Sequence, residues 1–358
     1  MRIVQIIDSL EAGGAERMAV SYANSLAKKI TFSGLIATRR EGKLLSQINE
    51  NVSYLFLRKT KRIDFRAIFK LRKYIVKNEV NIAHVHSSSF FTAVLVKLTL
   101  PKLKIIWHDH YGSRPKESRK QNRILVLSSF FFSSIFVVNL QLKKWSEDNL
   151  QCKKVFFIPN FAFVKNEYEK ITYLKGEQGK RIVFLANLKD PKNHIVILKA
   201  FRDLKLNETD WSLHLIGRDY NDIYSQLLKD FIKSNSLEKH IHLYGDRNDI
   251  KHILSQCSIG VLASTDEGFP VTLLEYALEG LAVMSTNVGY CSEIIQDNNT
   301  GLLFNPLNQS GIMNQLYTIV ESESFRNKLG NHFKDTVIKN YSEEKVIEKL
   351  IRSYKKIT

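Results

Sequence analysis

Cysteine is scarce in this chain. There are three in 358 residues, Cys152, Cys257 and Cys291, far apart and none in a CxxC pair. That excludes a disulfide framework and a cysteine-built zinc site, and it suits reduced thiols in a cytoplasmic protein. No secretory leader is legible either. Met1 runs almost directly into the apolar stretch "RIVQII", without a charged n-region, an h-region and a cleavage site. Acidic residues are scarce in one half only. Residues 1–160 hold 28 Lys and Arg against 11 Asp and Glu, whereas residues 161–358 hold 25 of each. The whole formal net charge of +17 therefore lies in the first half. Such asymmetry points to a polyanionic partner: nucleic acid, phospholipid headgroups or a phosphorylated acceptor.

A true membrane span is also lacking. "ILVLSSFFFSSIFVVNL", residues 124–140, carries no charge over seventeen residues, near the lower limit for a span. Its four serines and one asparagine favour a helix of roughly three turns followed by a buried strand, "SIFVVN". Phe130, Phe131 and Phe132 are left as candidates for contact with lipid.

What is present is an α/β chain long enough for two cores, with 44% hydrophobic and 25% charged residues. "RIVQII", "SGLIAT", "VSYLFL", "IAHVHS" and "KIIWHDH" read as strands. Between them "GGAERMAVSYANSLAKK", "DFRAIFKLRKYIVKN" and "TAVLVKLTL" read as helices. Strand–helix alternation of this kind builds a parallel sheet with helices on both faces. The pattern restarts with "KRIVFLAN", "WSLHLIG", "HIHLYG", "IGVLAS" and "LAVMSTN". Two doubly wound domains follow, 1–160 and 161–341, with the hinge at "FFIPNF" and a polar, loop-like stretch "NEYEKITYLKGEQGK" after it.

In open parallel sheets, ligands bind beyond the carboxyl ends of the strands. After the first strand, Gly13 and Gly14 open a helix whose free N–H groups and dipole suit an anion. After a later strand, "WHDHYG" supplies His108, Asp109 and His110, which can serve as acid, base or hydrogen-bond donor. Histidines also ligate metals, but no third or fourth ligand is evident, and His84 and His86 in "HVHS" read as structural. Lys189 and Lys192 in "ANLKDPKNH" follow a strand and could neutralise a diphosphate. "DEGFPVTLLEYALEG" places Glu267 before a Gly268–Phe269–Pro270 turn that launches a helix. The amides of Val271 and Thr272 then form a phosphate-binding N-terminus. Glu275, a turn further in, can accept from a ribose diol, and Glu267 can bind hydroxyls of an attached sugar. This spacing suits a nucleotide sugar.

Together these segments resemble the retaining glycosyltransferase family 4, of the GT-B fold, over most of the chain. The most specific part is the E-x7-E motif, Glu267 and Glu275. "STNVGYCSEIIQDNNTGLLFNP", with Glu293 and a "GLLF" strand, resembles the family's continuation, and "GGAER", "WHDHYG", "FFIPNF" and "KDPKNH" fall in the family's order. The resemblance implies two Rossmann-like domains facing a cleft. The first would bind the acceptor and the second the nucleotide-sugar donor, with a final helix from about Ser342 crossing back to the first. It implies that Glu275 holds the ribose and Glu267 the donor sugar. The amides near Val271 and Thr272, with Lys192, would hold the diphosphate, and Gly13 and Gly14 would approach it. His108 or His110 would contact the donor sugar, with His110 and Glu16 serving the acceptor. No metal or other cofactor is expected. The family often carries an Arg where Asn187 stands, a departure for which Lys189 can compensate.

The expected activity is transfer of a hexosyl or N-acetylhexosaminyl group from a UDP- or GDP-linked donor. The expected acceptor is a polyprenyl-diphosphate-linked glycan, as in capsule or O-antigen synthesis. The basic half fits peripheral binding to the anionic inner face of the cytoplasmic membrane. Arg66, Lys70, Lys73 and Lys77 recur at helical spacing, with Phe65, Ile68, Phe69 and Ile75 elsewhere on that helix. The alternatives are a GT-B-type epimerase or phosphorylase and, from another class, a basic nucleic-acid-binding protein. Zinc fingers, RNP-type aromatics and a helix-turn-helix signature are all missing, so no nucleic-acid partner is expected.

Overall fold

The computed structural model describes residues 1–11, 13–161 and 170–357. The chain divides into two compact units. Unit 1 is Met1–Phe161 with Glu343–Thr358, and unit 2 is Ala162–Ser342. The first four residues of the expected loop 166–180 lie outside the described residues. The rest of it is a strap rather than a free loop. Asp249 accepts from the amides of Ile171 and Thr172, at 3.0 and 2.6 Å, and from the Thr172 hydroxyl at 3.0 Å.

Unit 1 is built on seven parallel strands: β1 (Arg2–Ser9), β2 (Phe32–Arg40), β3 (Ser53–Phe56), β4 (Ile82–His86), β5 (Lys104–Asp109), β6 (Phe132–Val137) and β7 (Val155–Phe157). Their order is β3-β2-β1-β4-β5-β6-β7. The connecting helices are α1 (Gly14–Ala27), α2 (Phe65–Lys77), α3 (Phe90–Lys97), α4 (Arg123–Ser128) and α5 (Leu140–Asn149). Because helices cover both faces, the central strands are apolar almost throughout, as in Ile3, Val4, Ile6 and Ile7 of β1. The exceptions matter: Gln5, His84, His86 and His108 are fully buried polar side chains on β1, β4 and β5.

Two expectations for unit 1 change. The helix of roughly three turns expected within 124–140 is shorter: it ends at Ser128, and a 3-10 turn, Ser129–Phe131, leads into the expected strand. The Ser129 hydroxyl donates to the Val126 carbonyl at 2.6 Å and accepts from the Gln151 amide at 2.9 Å, so side-chain bonds take the place of the next α-helical turn. Phe132 is buried at the start of β6, while Leu127 and Phe130 are exposed. On α2 the apolar residues divide. Ile68 and Ile75 pack inward with Ala67 and Leu71, but Phe65 and Phe69 stand 70% and 65% exposed among the basic side chains. Asp64 caps this helix by accepting from the Ala67 amide, and that bond lowers its carboxyl below the ordinary value. Among the described residues no helix is long and apolar enough to cross a membrane.

Unit 2 repeats the plan with six parallel strands: β8 (Arg181–Leu185), β9 (Ser212–Ile216), β10 (Ile241–Gly245), β11 (Ile259–Leu262), β12 (Ala282–Thr286) and β13 (Leu302–Phe304). The order is β10-β9-β8-β11-β12-β13. Its helices are α6 (His194–Asp203), α7 (Ile223–Ser234), α8 (Ile250–Leu254), α9 (Val271–Leu278), α10 (Cys291–Ile294), α11 (Gln309–Glu321) and α12 (Glu323–Tyr341). Phe184, Leu215, Val261, Met284 and Leu316 belong to one continuous core. A last helix, α13 (Glu343–Lys355), belongs to unit 1. It buries Val346, Ile347, Leu350 and Tyr354 there, and Ser25 of α1 donates to Glu343 at 2.7 Å.

Each sheet reverses its winding once, at β1/β4 in unit 1 and at β8/β11 in unit 2. Those reversals leave a crevice outside the strand ends, where open α/β sheets take ligands.

Candidate functional site

The crevice of unit 2 is held open by one side chain. β8 and β11 pair only through Ile182 and Val183 with Ile259 and Gly260. Beyond that point the Tyr276 hydroxyl stands between the strands, accepting from the Leu185 amide at 2.8 Å and donating to the Val261 carbonyl at 3.1 Å. Its ring lies flat against β11 because residue 260 is glycine. A Cβ there would sit 2.5 Å from the ring. With Tyr276 turned into the sheet, its neighbour Glu275 is left partly buried on α9. Neither Tyr276 nor Gly260 was singled out from sequence. The usable signal was a tyrosine on an otherwise apolar helix face opposite a glycine in a strand.

Beyond β8, the Asn187 side chain accepts from the Arg218 amide at 3.0 Å and so ties the ends of β8 and β9. It thus does a backbone job where the family often has a cation. The cation missed by sequence reading is Arg218, whose guanidinium lies over the Tyr220 ring at 5.1 Å, with the Lys189 ammonium 5.9 Å from the same ring. Arg218 follows the glycine just beyond the end of β9, a place of the kind that had picked out the other candidates. Gly217 has φ +155, and a Cβ on it would meet the Ala186 carbonyl oxygen at 2.1 Å, so only glycine lets the two strand ends approach.

Lys192 and Glu267 are brought together. Nζ lies 2.6 Å from Oε1, with the lysine side chain 26% and the glutamate 10% exposed. The two loops that carry them are stitched by the Thr265 amide donating to the Pro191 carbonyl at 2.9 Å. Behind Glu267 stands Gly289, at φ +64, where a Cβ would meet the Glu267 carbonyl oxygen at 1.9 Å. Burial, with the Glu267 carboxylate nearby, raises the Cys291 thiol far above its ordinary value, which keeps it an inert thiol. In the turn, the Phe269 side chain is buried and stacks on Tyr290 at 5.2 Å, with Tyr341 edge-on. The Phe269 side chain is thus taken up by packing and is not turned to a ligand. α9 then starts at Val271, so the amides of Val271 and Thr272 have no acceptor within the helix and carry its positive dipole end. A cation, a carboxylate and a helix N-terminus thus converge at the β8/β11 crevice.

In unit 1, Gly13 caps α1 and Gly14 is its first residue. The Glu16 carboxylate folds back over this end, where a Cβ on Gly13 would meet its Oε2 at 2.2 Å. An anion approaching Gly13 therefore meets the protein's own carboxylate first, while a Cβ on Gly14 would enter open space. Asp8, at the end of β1, accepts from the hydroxyls of Thr38 and Ser88.

Beside this lies a cluster whose members the sequence reading treated separately. His84 and His86, read as structural, join His108 and His110 in one cluster, because β4 and β5 are adjacent and His86 faces His108 across the register. His84 Nε2 lies 3.0 Å from His108 Nδ1, and His86 Nδ1 lies 3.0 Å from His110 Nε2. His84 Nδ1 meets the Tyr354 hydroxyl of α13 at 2.5 Å, and His86 Nε2 meets Gln5 Oε1 at 2.8 Å. The Tyr22 ring packs over the group. Burial holds His84, His86 and His108 well below their ordinary value and His110 at about 3, so all four are neutral. Asp109 is not part of the group. It is buried and takes two bonds from Arg114, at 2.8 and 3.3 Å.

The cluster also supplies the third histidine that was not evident from sequence. Ligand atoms of His84, His86 and His108 lie within 4.8 Å of one another. A shared metal must lie in the plane of every ring that binds it. The His84 and His86 rings instead stack at 4.5 Å with an interplanar angle of 23°, and both nitrogens of each are hydrogen-bonded. The arrangement is a hydrogen-bonded network rather than a ligand set.

Comparison with known proteins bears on the family and the fold. Residues 165–336 match the family model described as glycosyl transferases group 1, and residues 12–162 match that of glycosyltransferase family 4. The chain is 26% identical over 352 residues to a Campylobacter jejuni enzyme, covering 93% of both. That enzyme is named GalNAc-alpha-(1->4)-GalNAc-alpha-(1->3)-diNAcBac-PP-undecaprenol alpha-1,4-N-acetyl-D-galactosaminyltransferase. It is 24% identical over 305 residues to the O-antigen biosynthesis glycosyltransferase WbnH of Escherichia coli, covering 83% of this chain and 84% of that one. Among solved structures it resembles Anabaena HepE in complex with UDP-glucose, with a TM-score of 0.80 at 15% identity, over 99% of this chain and all of the other.

Proposed function

The chain belongs to the family 4 glycosyltransferases of the GT-B fold, and from that premise we propose that it moves a hexosyl or N-acetylhexosaminyl group, with retention, from a UDP- or GDP-linked donor to a polyprenyl-diphosphate-linked glycan. The observation that carries this reading is the Lys192–Glu267 pair set beside the N-terminus of α9 at the β8/β11 crevice. Relatives named for diphosphate-linked undecaprenol acceptors support the acceptor class, and a structural neighbour bound to UDP-glucose supports the donor class.

In this reading Glu275 accepts from the ribose and Glu267 from hydroxyls of the donor sugar. The diphosphate is neutralised by Lys192, by Lys189 and Arg218, and by the amides of Val271 and Thr272, so no resident metal is needed. Departure of the diphosphate builds negative charge beside these donors, which lowers the barrier. The acceptor attacks the face the nucleotide leaves, and a phosphate oxygen takes its proton. Neither glutamate acts as a covalent nucleophile. His108 and His110 of unit 1 bind sugar oxygens.

Unit 1 is also the surface we assign to an anionic membrane. Arg66, Lys70, Lys73 and Lys77 of α2 are exposed alongside Phe65 and Phe69. Each cation near such a surface contributes about 1 kcal/mol, and the aromatic rings add apolar insertion. The test has two parts. UDP or GDP is expected to raise the melting temperature, since a ligand that binds only the folded state stabilises it. The protein is expected to float with vesicles containing anionic lipid and not with neutral ones. No stabilisation by either nucleotide removes the donor assignment, and no flotation at low salt removes the membrane assignment.

A further inference from the structure

Four neutral imidazoles in hydrogen-bonded contact are not independent. Each carries one ring proton and one lone pair, so a bond that fixes one nitrogen fixes the other. The order can be followed from Gln5, which is fully buried. Its Oε1 can only accept, so His86 Nε2, 2.8 Å away, carries the proton. His86 Nδ1 is then bare and accepts from His110 Nε2–H at 3.0 Å. That leaves His110 Nδ1 with a lone pair. On the other chain the donor is the neutral Tyr354 hydroxyl, whose proton is given to His84 Nδ1, at 2.5 Å. His84 Nε2–H then donates to His108 Nδ1 at 3.0 Å, and His108 Nε2 keeps its proton. Both chains end in buried atoms with no partner among the described residues, His108 Nε2 and His110 Nδ1.

We propose that Gln5 and Tyr354 are positioning residues that hold all four histidines in the Nε2–H form, so that His108 presents a donor and His110 an acceptor to the sugar substrate. The amide sets one chain and the hydroxyl the other. Turning the amide over would invert His86 and His110, leaving His110 protonated at the atom it offers. The network brings α13, at the far end of the sequence, to bear on His108 through Tyr354 and His84. The part played by these two atoms in sugar transfer rests on the function proposed above. The tautomers themselves do not.

The experiment is long-range proton–nitrogen correlation on the full-length protein carrying 15N-histidine, at neutral pH and without substrate. Resonances are assigned by single replacement of each histidine of the cluster. The expected result is an Nε2–H form for His84, His86, His108 and His110. An Nδ1–H form at His108 or His110 overturns the proposal, whatever reaction the protein catalyses. Tyr354→Phe removes the proton given to His84. It is expected to leave His108 a mixture of tautomers and to lower kcat by about tenfold, with KM for the nucleotide sugar unchanged within about twofold. If His108 becomes mixed and kcat does not fall, the link from the network to the reaction is refuted and the network stands.

Discussion

Replacing Tyr276 by Phe removes one oxygen from the point where the sheet of unit 2 opens toward its crevice. The ring stays, and with it the packing against Gly260. The bonds from the Leu185 amide at 2.8 Å and to the Val261 carbonyl at 3.1 Å disappear, with a longer one to the Val183 carbonyl at 3.5 Å. The partners lie on buried strands, and the space left by a hydroxyl is too small to admit a bridging water. An unsatisfied buried amide costs about 1–3 kcal/mol, and the carbonyl adds to this. The expected loss is therefore about 2–4 kcal/mol of the stability of unit 2. The β8 and β11 ends should also shift, and since Asn187, Lys192 and Glu267 all follow those strands, nucleotide affinity should drop several-fold. Urea unfolding of wild type and variant measures the first effect, as a lower midpoint with an unchanged m-value. Hydrogen exchange at the Leu185 amide, which should speed up in the variant, locates it. A change under about 0.5 kcal/mol with Leu185 still protected would refute the view that this hydroxyl holds the crevice.

Three further outcomes follow from the same structure. Burial depresses His110, His194 and His214 to about 3 from 6.5, so the unfolded chain binds protons in that window that the folded chain does not. Their stabilisation is complete above pH 6.5 and is lost as the pH falls toward 3, by up to about 1.4 kcal/mol per unit for each histidine. Urea midpoints at pH 7.5, 6 and 5 should fall progressively, and a flat profile would contradict the neutral cluster. Lys192→Ala and Glu267→Ala are each expected to abolish transfer while circular dichroism stays native, and near-normal turnover in either would remove its assigned role. Gly289→Ala should impair transfer and destabilise unit 2, because its Cβ collides with the Glu267 carbonyl at a left-handed φ; an active variant of wild-type stability would show that the loop yields.

Much of the fold was legible because parallel strands covered on both faces read as short apolar runs ending in glycine or polar residues. β1, β4, β8 and β11 all show it. The E-x7-E spacing was legible for a similar local reason: a turn and a helix fix where residues eight apart stand. Other residues gave no such signal. Nothing local tells that Asn187 bonds the Arg218 amide, or that Phe65 and Phe69 face out while Ile68 and Ile75 face in, until the sheet beneath is placed. The helix at the start of 124–140 was expected to be longer than it is, because an uncharged run does not reveal that Ser129 turns its hydroxyl onto the backbone.

The sequence by itself determined two α/β units, a basic first half and a carboxylate on either side of a helix-launching turn. Those follow from composition, periodicity and spacing, which act over a few residues. Only the tertiary structure decided that His84 and His86 belong with His108 and His110, that Gln5 and Tyr354 terminate their hydrogen bonds, and that Tyr276 stands between β8 and β11. Strand order and the return of α13 set those meetings. Neither is written in any local window, because side chains meet across a sheet by the neighbours the chain chooses, and not by their distance along it.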